Sequence, residues 1–245
     1  MSDHGPGAEH AEELLRNHSL EELRAVAAGS VLTEELALAL LQHHDLPHQV
    51  LETMSKNGAI MKHRKVIVAV VSHPHTPRHV SLPVCRHLYT FELMHIALMP
   101  GIAADLKVSI EEALMNRMES ISSGERLTLA KRGSTRVAAA LLADSDDRVR
   151  DAALLNPHMT EAWVVKALMR DDAPAPMVQA ICRHPKWSLR RDVQIALLRN
   201  EKTPMARAVS IAQQIPTQVL RDVLSHSRLA ANVKSYLMAE LQKRK

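Results

Sequence analysis

The chain has 245 residues, of which 46% are hydrophobic and only 2% are aromatic, and it contains seven glycines. A chain of this length can bury a large core, but so few aromatic side chains cannot fill a β-sandwich or barrel, and so few glycines disfavour hairpin turns and phosphate-binding loops. The net charge is +4, yet residues 1–127 carry a net charge of −5 and residues 128–245 one of +9. This asymmetry indicates that the C-terminal half contacts an anionic partner.

The first eleven residues are polar and predict a flexible tail over 1–11, followed by a single domain over 12–245. No apolar stretch approaches the roughly 18 residues of a membrane span. Two cysteines, Cys85 and Cys182, lie far apart and show no disulfide-framework spacing. The sequence therefore predicts a cytoplasmic protein with no membrane contact.

An internal duplication organises most of the chain. Shifting the sequence by 127 positions places residues 30–118 on residues 157–245 without a gap, and it aligns Thr33 with Thr160 and Thr76 with Thr203. Within each half the threonines recur 43 residues apart, at an apolar helix end followed by a turn. Each threonine is predicted to be the N-cap of a new helix, with Pro or Glu in its first turn.

Smaller breaks divide each unit of about 42 residues into three short helices. In the last two units these are predicted at 160–170, 174–183, 188–199, 203–214, 217–226 and 230–243. Ser188 is the predicted cap of the third, and the irregular stretch 119–133 leaves the middle unit without a defined register. The segment 66–71 has the composition of a strand, but its duplicate 193–198 is a better helix former, so both are predicted to be helical.

Three-helix units of this length resemble armadillo and HEAT repeats, with the leucine-rich repeat variant as an alternative. The resemblance rests on the period, the Thr-Pro positions and the apolar spacing, and it covers the chain from about residue 12. It implies an all-α fold, a right-handed α-solenoid whose groove binds a partner.

A ladder of basic residues follows the same period. Its members are spaced by 43 and fall near the start of a third helix: Arg64, Lys107 and Arg150 in one series, and Arg148, Arg191 and Lys234 in the other. In armadillo-like proteins the third helix lines the concave groove, so these side chains are candidates for binding phosphates or an acidic peptide. The alternative is a solvated face on which the Lys and Arg side chains extend into water.

A second candidate is the cluster Arg183, Lys186, Trp187, Arg190 and Arg191, in which a Trp among cations can stack on a base. Because the duplicate of Trp187 is Ile60, a core position is the alternative. A third candidate is a set of histidines: His43, His44, His48, His73, His75, His79 and His87. Their spacing matches no zinc signature, so neither a metal nor any other cofactor is predicted.

Catalytic motifs are missing from the sequence, since it contains no Gly-x-Ser-x-Gly, P-loop or Gly-x-Gly-x-x-Gly. The leading hypothesis is therefore a non-enzymatic scaffold that binds a protein or acidic peptide, with the basic C-terminal half as the contact region. Nucleic-acid binding is the alternative. A HEAT-like DNA glycosylase is the enzyme hypothesis, with Asp192 as its one weak candidate for a catalytic acid.

Overall fold

The computed structural model describes residues 6–17 and 19–243. Over these residues the chain forms seventeen α-helices and two short 3-10 turns, and no strand is present. The all-α prediction is confirmed, including the helix over the β-branched segment 66–71. The predicted tail over 1–11 overlaps the first helix, which begins at Pro6, and residues 1–5 of that tail lie outside the described part of the chain.

The chain divides into two compact units, Met1–Arg117 and Met118–Lys245, where the sequence predicts one domain. Unit 1 contains eight helices over its described residues: α1 (Pro6–Asn17), α2 (Leu20–Ala28), α3 (Glu34–Leu41), α4 (His48–Lys56), α5 (Arg64–Ser72), α6 (Arg78–Cys85), α7 (Thr90–Leu98) and α8 (Ala104–Asn116). A 3-10 turn, Ile60–Lys62, precedes α5.

Unit 2 contains nine helices over its described residues: α9 (Ser123–Arg132), α10 (Thr135–Leu141), α11 (Asp147–Leu154), α12 (Glu161–Leu168), α13 (Ala175–Arg183), α14 (Arg191–Arg199), α15 (Met205–Gln214), α16 (Thr217–Ser225) and α17 (Ala231–Lys243). The predicted cap Ser188 instead lies in a 3-10 turn, Trp187–Leu189, and α14 begins at Arg191. The irregular stretch 119–133 contains the regular helix α9, which Ser122 and Glu125 start with a capping box.

Each helix packs on the next helix in the chain, on the one two positions along, or on both. In unit 1 the row α1, α3, α5, α7 is joined by successive contacts, and α2 packs on α4 and α6 on α8. In unit 2 α9, α11 and α13 form one row, and α10, α12, α14 and α16 form another. Each row thus contains every second helix. A step of 43 residues advances by three helices and therefore moves from one row to the other, so the packing differs from the predicted three-helix unit.

The secondary structures of the two units are in register over the duplicated segments. The helices α3 to α8 and the 3-10 turn between α4 and α5 each begin 127 residues before their counterparts α12 to α17 and the turn in unit 2. Buried positions coincide as well: Ile60 matches Trp187 and Val66 matches Val193, and all four side chains are in the core. The alignment of 30–118 with 157–245 is thus also an alignment of helices.

The repeated threonines have different roles in capping. Thr33 accepts a hydrogen bond from the Leu36 amide and caps α3 as predicted. Thr76 and Thr203 do not cap the next helix, because their buried hydroxyls donate instead to the carbonyls of Val70 and Leu197 in the preceding helix. Both carbonyls lie in the last turn of their helix, where intrahelical partners run out, and the Leu197 carbonyl also accepts the Asn200 amide.

Asn and His side chains at the ends of helices link each helix pair to the previous one. The Asn156 Nδ2 donates to the Ala130 carbonyl at 2.8 Å, and its Oδ1 accepts the His158 amide at 2.8 Å. Asn57 and Asn200 make the same kind of bond to carbonyls about two helices earlier. Because buried backbone groups must be paired, these amides fix how the loops stack.

Candidate functional site

The predicted basic ladder does not follow one row of helices. In unit 1 Arg64 begins α5 and Lys107 lies in α8, and these helices belong to different rows. In unit 2 Arg148 lies in α11 and Arg191 in α14, again in different rows. The 43-residue spacing thus alternates between rows instead of following one of them.

Arg64 is occupied by contacts within unit 1. Its Nε donates to the Glu92 carboxylate at 3.0 Å, its guanidinium also reaches the His87 carbonyl, and the group lies 4.1 Å from the centre of the Tyr89 ring. Burial alone would raise the pKa of Glu92, but hydrogen bonds from Arg64 and the Tyr89 amide outweigh it and lower that pKa. Arg64 therefore ties α5 to α7 and forms a fixed wall of the surface described below.

Three further members of the ladder also make internal contacts. Arg150 is only 5% exposed and donates to the Asp144 carbonyl at 2.7 Å, and it pairs with Asp147. Arg148 pairs with Asp146 at 2.9 Å. The Lys234 Nζ is 3.5 Å from the Ser227 carbonyl, whereas the half-buried Lys107 makes no ion pair among the described residues.

In the predicted Trp cluster, the indole is part of the core. Trp187 is 2% exposed, and its Nε1 donates to the Leu154 carbonyl at 2.8 Å. The Lys186 Nζ covers one face of the ring at 4.0 Å. Arg190 and Arg191 are exposed. The structure thus leaves cations at this surface but no aromatic face on which a base stacks.

The histidines do not converge on a metal site. Among the described residues, no group of three His, Cys, Asp or Glu side chains is arranged to hold a metal ion. His73 is buried instead: its Nε2 is 3.1 Å from the His43 carbonyl, and its Nδ1 accepts the His75 amide at 3.2 Å. Burial lowers the pKa of His73, so this imidazole is a neutral, structural hydrogen-bonding group.

A groove of about 710 Å³ lies along α5 in unit 1, between the end of α3 and α7. We call it the α5 groove. Its apolar surface is formed by Leu41, Val68, Ala69, Phe91 and Met99. Phe91 is one of the few aromatic residues of the chain, and its side chain is 44% exposed. An exposed aromatic beside small aliphatic side chains is the composition of an interface centre rather than of a solvated face.

The polar rim of the α5 groove is cationic or neutral. Lys65, His44 and His95 line it with exposed side chains. The one carboxylate among its lining residues is Glu92, which Arg64 already neutralises. The groove therefore offers an apolar floor and uncompensated positive charge, within a half of the chain that carries a net negative charge.

A second groove occupies the matching place in unit 2, between α12 and α14, with a volume of about 580 Å³. Five of its lining positions correspond to positions of the α5 groove, and two of them, Ile195 and Ala196, keep the apolar character of Val68 and Ala69. The rim differs, because Asp192 stands at the position of Lys65 and Glu161 is added. The two grooves occupy equivalent positions in their units, but their rims differ in charge.

Lys65, Phe91 and His95 were not predicted from the sequence as site residues. The sequence signal for Phe91 is the scarcity of aromatic residues: its duplicate is Gln218, so no core position required an aromatic side chain there. Lys65 was not predicted because it does not belong to the 43-residue series of basic residues. The 127-residue alignment, which pairs Lys65 with Asp192, carries the relevant information.

The two cysteines are buried and not bonded to each other. Burial raises the pKa of both Cys85 and Cys182 to about 11, so each thiol is a poor nucleophile at neutral pH.

Over the described part of the chain, none of the helices has the length and apolar character that crossing a bilayer requires. Comparisons with known protein families, with characterised proteins and with solved structures found no match to the chain.

Proposed function

We propose that the chain is a helical-repeat scaffold without enzymatic activity, and that the α5 groove binds a short amphipathic peptide with acidic side chains. The observation that carries this proposal is the combination of an exposed aromatic and aliphatic floor with a rim whose single carboxylate is paired internally. Apolar side chains of the ligand would pack against Phe91 and Val68. Its carboxylates would lie near Lys65 and the two rim histidines.

The alternating packing of short helices supports the repeat interpretation, which includes the HEAT- or armadillo-like α-solenoid. Helices of eight or nine residues are marginal alone, because helix nucleation is costly. They are stable here because each packs on the next helix, on the one two positions away, or on both, as helices do in stacked repeats. Such folds present rigid side-chain surfaces, and rigid surfaces bind peptides with a smaller entropy loss.

Nucleic-acid binding is less well supported by the same residues. The ladder of basic residues alternates between rows of helices. Arg64 and Arg150 form ion pairs within their units, and Trp187 is buried. A single-strand binder needs exposed rings for base stacking, and a phosphate-tracking surface needs a continuous line of free cations.

The proposal can be tested with a fluorescein-labelled amphipathic peptide that carries Leu at helical spacing and Glu elsewhere. Its control is the same peptide with Lys in place of Glu. We expect the acidic peptide to bind in fluorescence anisotropy, and Lys65→Glu or Phe91→Ser to weaken binding about tenfold, which corresponds to about 1.4 kcal/mol.

The matched controls are Lys62→Glu and Val108→Ser, which change exposed side chains of the same unit outside the groove. They should leave the affinity unchanged. Equal binding of the acidic and basic peptides, or equal losses in the groove and control variants, would refute the proposal.

A further inference from the structure

A separate cleft of about 450 Å³ lies between α13 and α15 in unit 2, and its lining contains two arginines and no carboxylate. Its lining residues are Gln179, Cys182 and Arg183 from α13, and Pro204, Ala206, Arg207 and Ser210 from the start of α15 and the residue before it. We call it the arginine cleft. The amide of Gln179 and the hydroxyl of Ser210 add neutral polar groups to the two charges.

Arg183 and Arg207 line the cleft together with Cys182, and the charges of both guanidinium groups affect the pKa of its thiol. Burial raises the pKa of the Cys182 thiol, and the positive charges of Arg207 and Arg183 both oppose that shift. Arg183 is exposed and makes no ion pair with the described residues. Arg207 donates through Nη2 to the Ser188 carbonyl at 3.0 Å, while its Nε is buried and has no acceptor. An arginine with an unsatisfied buried donor is costly unless a ligand or solvent pairs with it.

The equivalent residues of unit 1 carry a different set of charges. There Glu52 stands at the position of Gln179 and forms an ion pair with Lys56, the counterpart of Arg183, at 2.8 Å. Glu52 also lies 3.8 Å from the imidazole of His79. Its pKa is lowered, chiefly by the hydrogen bond from Lys56. Unit 1 therefore pairs its cation internally.

Two replacements in unit 2 reverse this arrangement. Gln179 removes the carboxylate that would hold Arg183, and Arg207 replaces Val80, a buried aliphatic residue of unit 1. The first frees one cation and the second adds another, at equivalent positions of the same helix pair. Unit 1 forms the same helices without either residue.

We propose that the arginine cleft binds a phosphate monoester carried by a peptide. Two guanidinium groups without a carboxylate match a group of charge near −2, and the planar fork of arginine suits bidentate contact with phosphate oxygens. Gln179 and Ser210 supply further hydrogen-bond donors. The cleft lies apart from the α5 groove in sequence and in unit, so this inference does not depend on the peptide proposed for that groove.

A nucleic-acid backbone fits the cleft less well. A phosphodiester carries one charge, and affinity for a strand comes from many cations in a line together with exposed aromatic rings. The cleft holds two arginines at one point, and no Trp, Tyr or Phe lines it.

The test is a titration of full-length protein, labelled with ¹⁵N at arginine, followed through the side-chain Nε–Hε resonances. Inorganic phosphate is the first probe, at constant ionic strength held with chloride. The second set comprises a phosphoserine peptide, its unphosphorylated form and a single-stranded oligonucleotide. We expect phosphate and the phosphopeptide to shift the Arg183 and Arg207 signals, and the unphosphorylated peptide to leave them in place.

The decisive variant is Gln179→Glu, which copies Glu52 of unit 1 at an exposed position and keeps both arginines. It should weaken phosphopeptide binding tenfold or more, on the order expected for one opposing charge. Arg207→Gln should do the same, and the control Arg221→Gln, on the exposed face of α16, should not. Unchanged binding in Gln179→Glu, an equal loss in Arg221→Gln, or binding of the oligonucleotide alone would overturn the proposal.

Discussion

His73 and Asn200 occupy the same position in the two duplicated segments and make the same pair of hydrogen bonds. Each accepts the amide of the residue two positions on, at 3.2 Å from His75 and 2.9 Å from Lys202. Each also reaches a carbonyl about 30 residues earlier, in the loop that follows α3 or at the end of α12. An imidazole and a carboxamide are therefore interchangeable at this position, since each offers one acceptor and one donor.

This equivalence predicts that His73→Asn keeps the fold and removes the contribution of His73 to the pH dependence of the unfolding free energy. In His73→Asn the carboxamide should make both bonds, so the free energy of unfolding at pH 8 should change by less than about 0.5 kcal/mol. His73→Ala removes both bonds, leaves the His75 amide without its acceptor and the His43 carbonyl with the Leu46 amide alone, and should cost about 2 kcal/mol. Urea denaturation followed by circular dichroism measures both values.

The pH dependence follows from the direction of the shift. Burial lowers the pKa of His73 in the folded state below its ordinary value of 6.5. Below pH 6.5 the unfolded chain thus binds more protons than the folded chain, and stability falls as the pH drops through the folded pKa. His73→Asn should lose less stability between pH 7 and pH 5 than the wild type, and the surface control His48→Asn should not reproduce that change. Identical pH profiles for His73→Asn and the wild type would contradict this account.

The sequence predicted helices well and their packing poorly. Six predicted helices in unit 2 match observed ones closely, because apolar spacing and turn residues act locally. The rows were missed because the 43-residue period marks recurring turns, and a turn motif contains no information on which helix packs on which. The hydroxyl of Thr76 shows the same limit, since Thr-Pro is a local start signal and the hydroxyl bonds backwards instead. The α5 groove escaped detection because exposure of Phe91 is a property of the packed fold.

The core position of Trp187 leads to a second prediction. Trp187→Phe keeps most of the packing but removes the Nε1 hydrogen bond to the Leu154 carbonyl, and we expect a loss of about 1–3 kcal/mol in unfolding free energy. Trp187→Ala also creates a cavity and should cost about 3–5 kcal/mol. The matched control is Trp163→Phe, because Trp163 is half-buried and is covered by Lys166 at 4.7 Å. A loss in Trp163→Phe as large as that in Trp187→Phe would show that the buried hydrogen bond is unimportant.

The link between α5 and α7 predicts an effect at acid pH. The pKa of Glu92 is lowered in the folded state, so this carboxylate contributes stability above its ordinary pKa of 4.5, and the contribution is lost as the pH falls through the folded pKa. Glu92→Gln should cost about 1 kcal/mol at pH 7, since the pair is partly exposed, and the cost should shrink at pH 3. Glu13→Gln, an exposed change on α1, serves as the control in the same urea series. A cost of Glu92→Gln that stays constant from pH 7 to pH 3 would contradict the role given to its ion pair with Arg64.

The two matched grooves allow their charge preference to be exchanged. Lys65 and Asp192 stand at equivalent positions beside equivalent apolar residues, so the rim charge is the main difference between the grooves at that point. In Asp192→Lys the unit 2 groove keeps Glu161 but gains a cation beside Arg199, and the acidic peptide should then bind there with a gain of about tenfold over the wild type. Methyl resonances of Ile195 report on that groove and those of Val68 on the other. In Lys65→Asp combined with Asp192→Lys, the peptide-induced shifts should move from Val68 to Ile195. If they stay at Val68, the charge of the rim does not select the ligand, and the apolar floor alone decides binding.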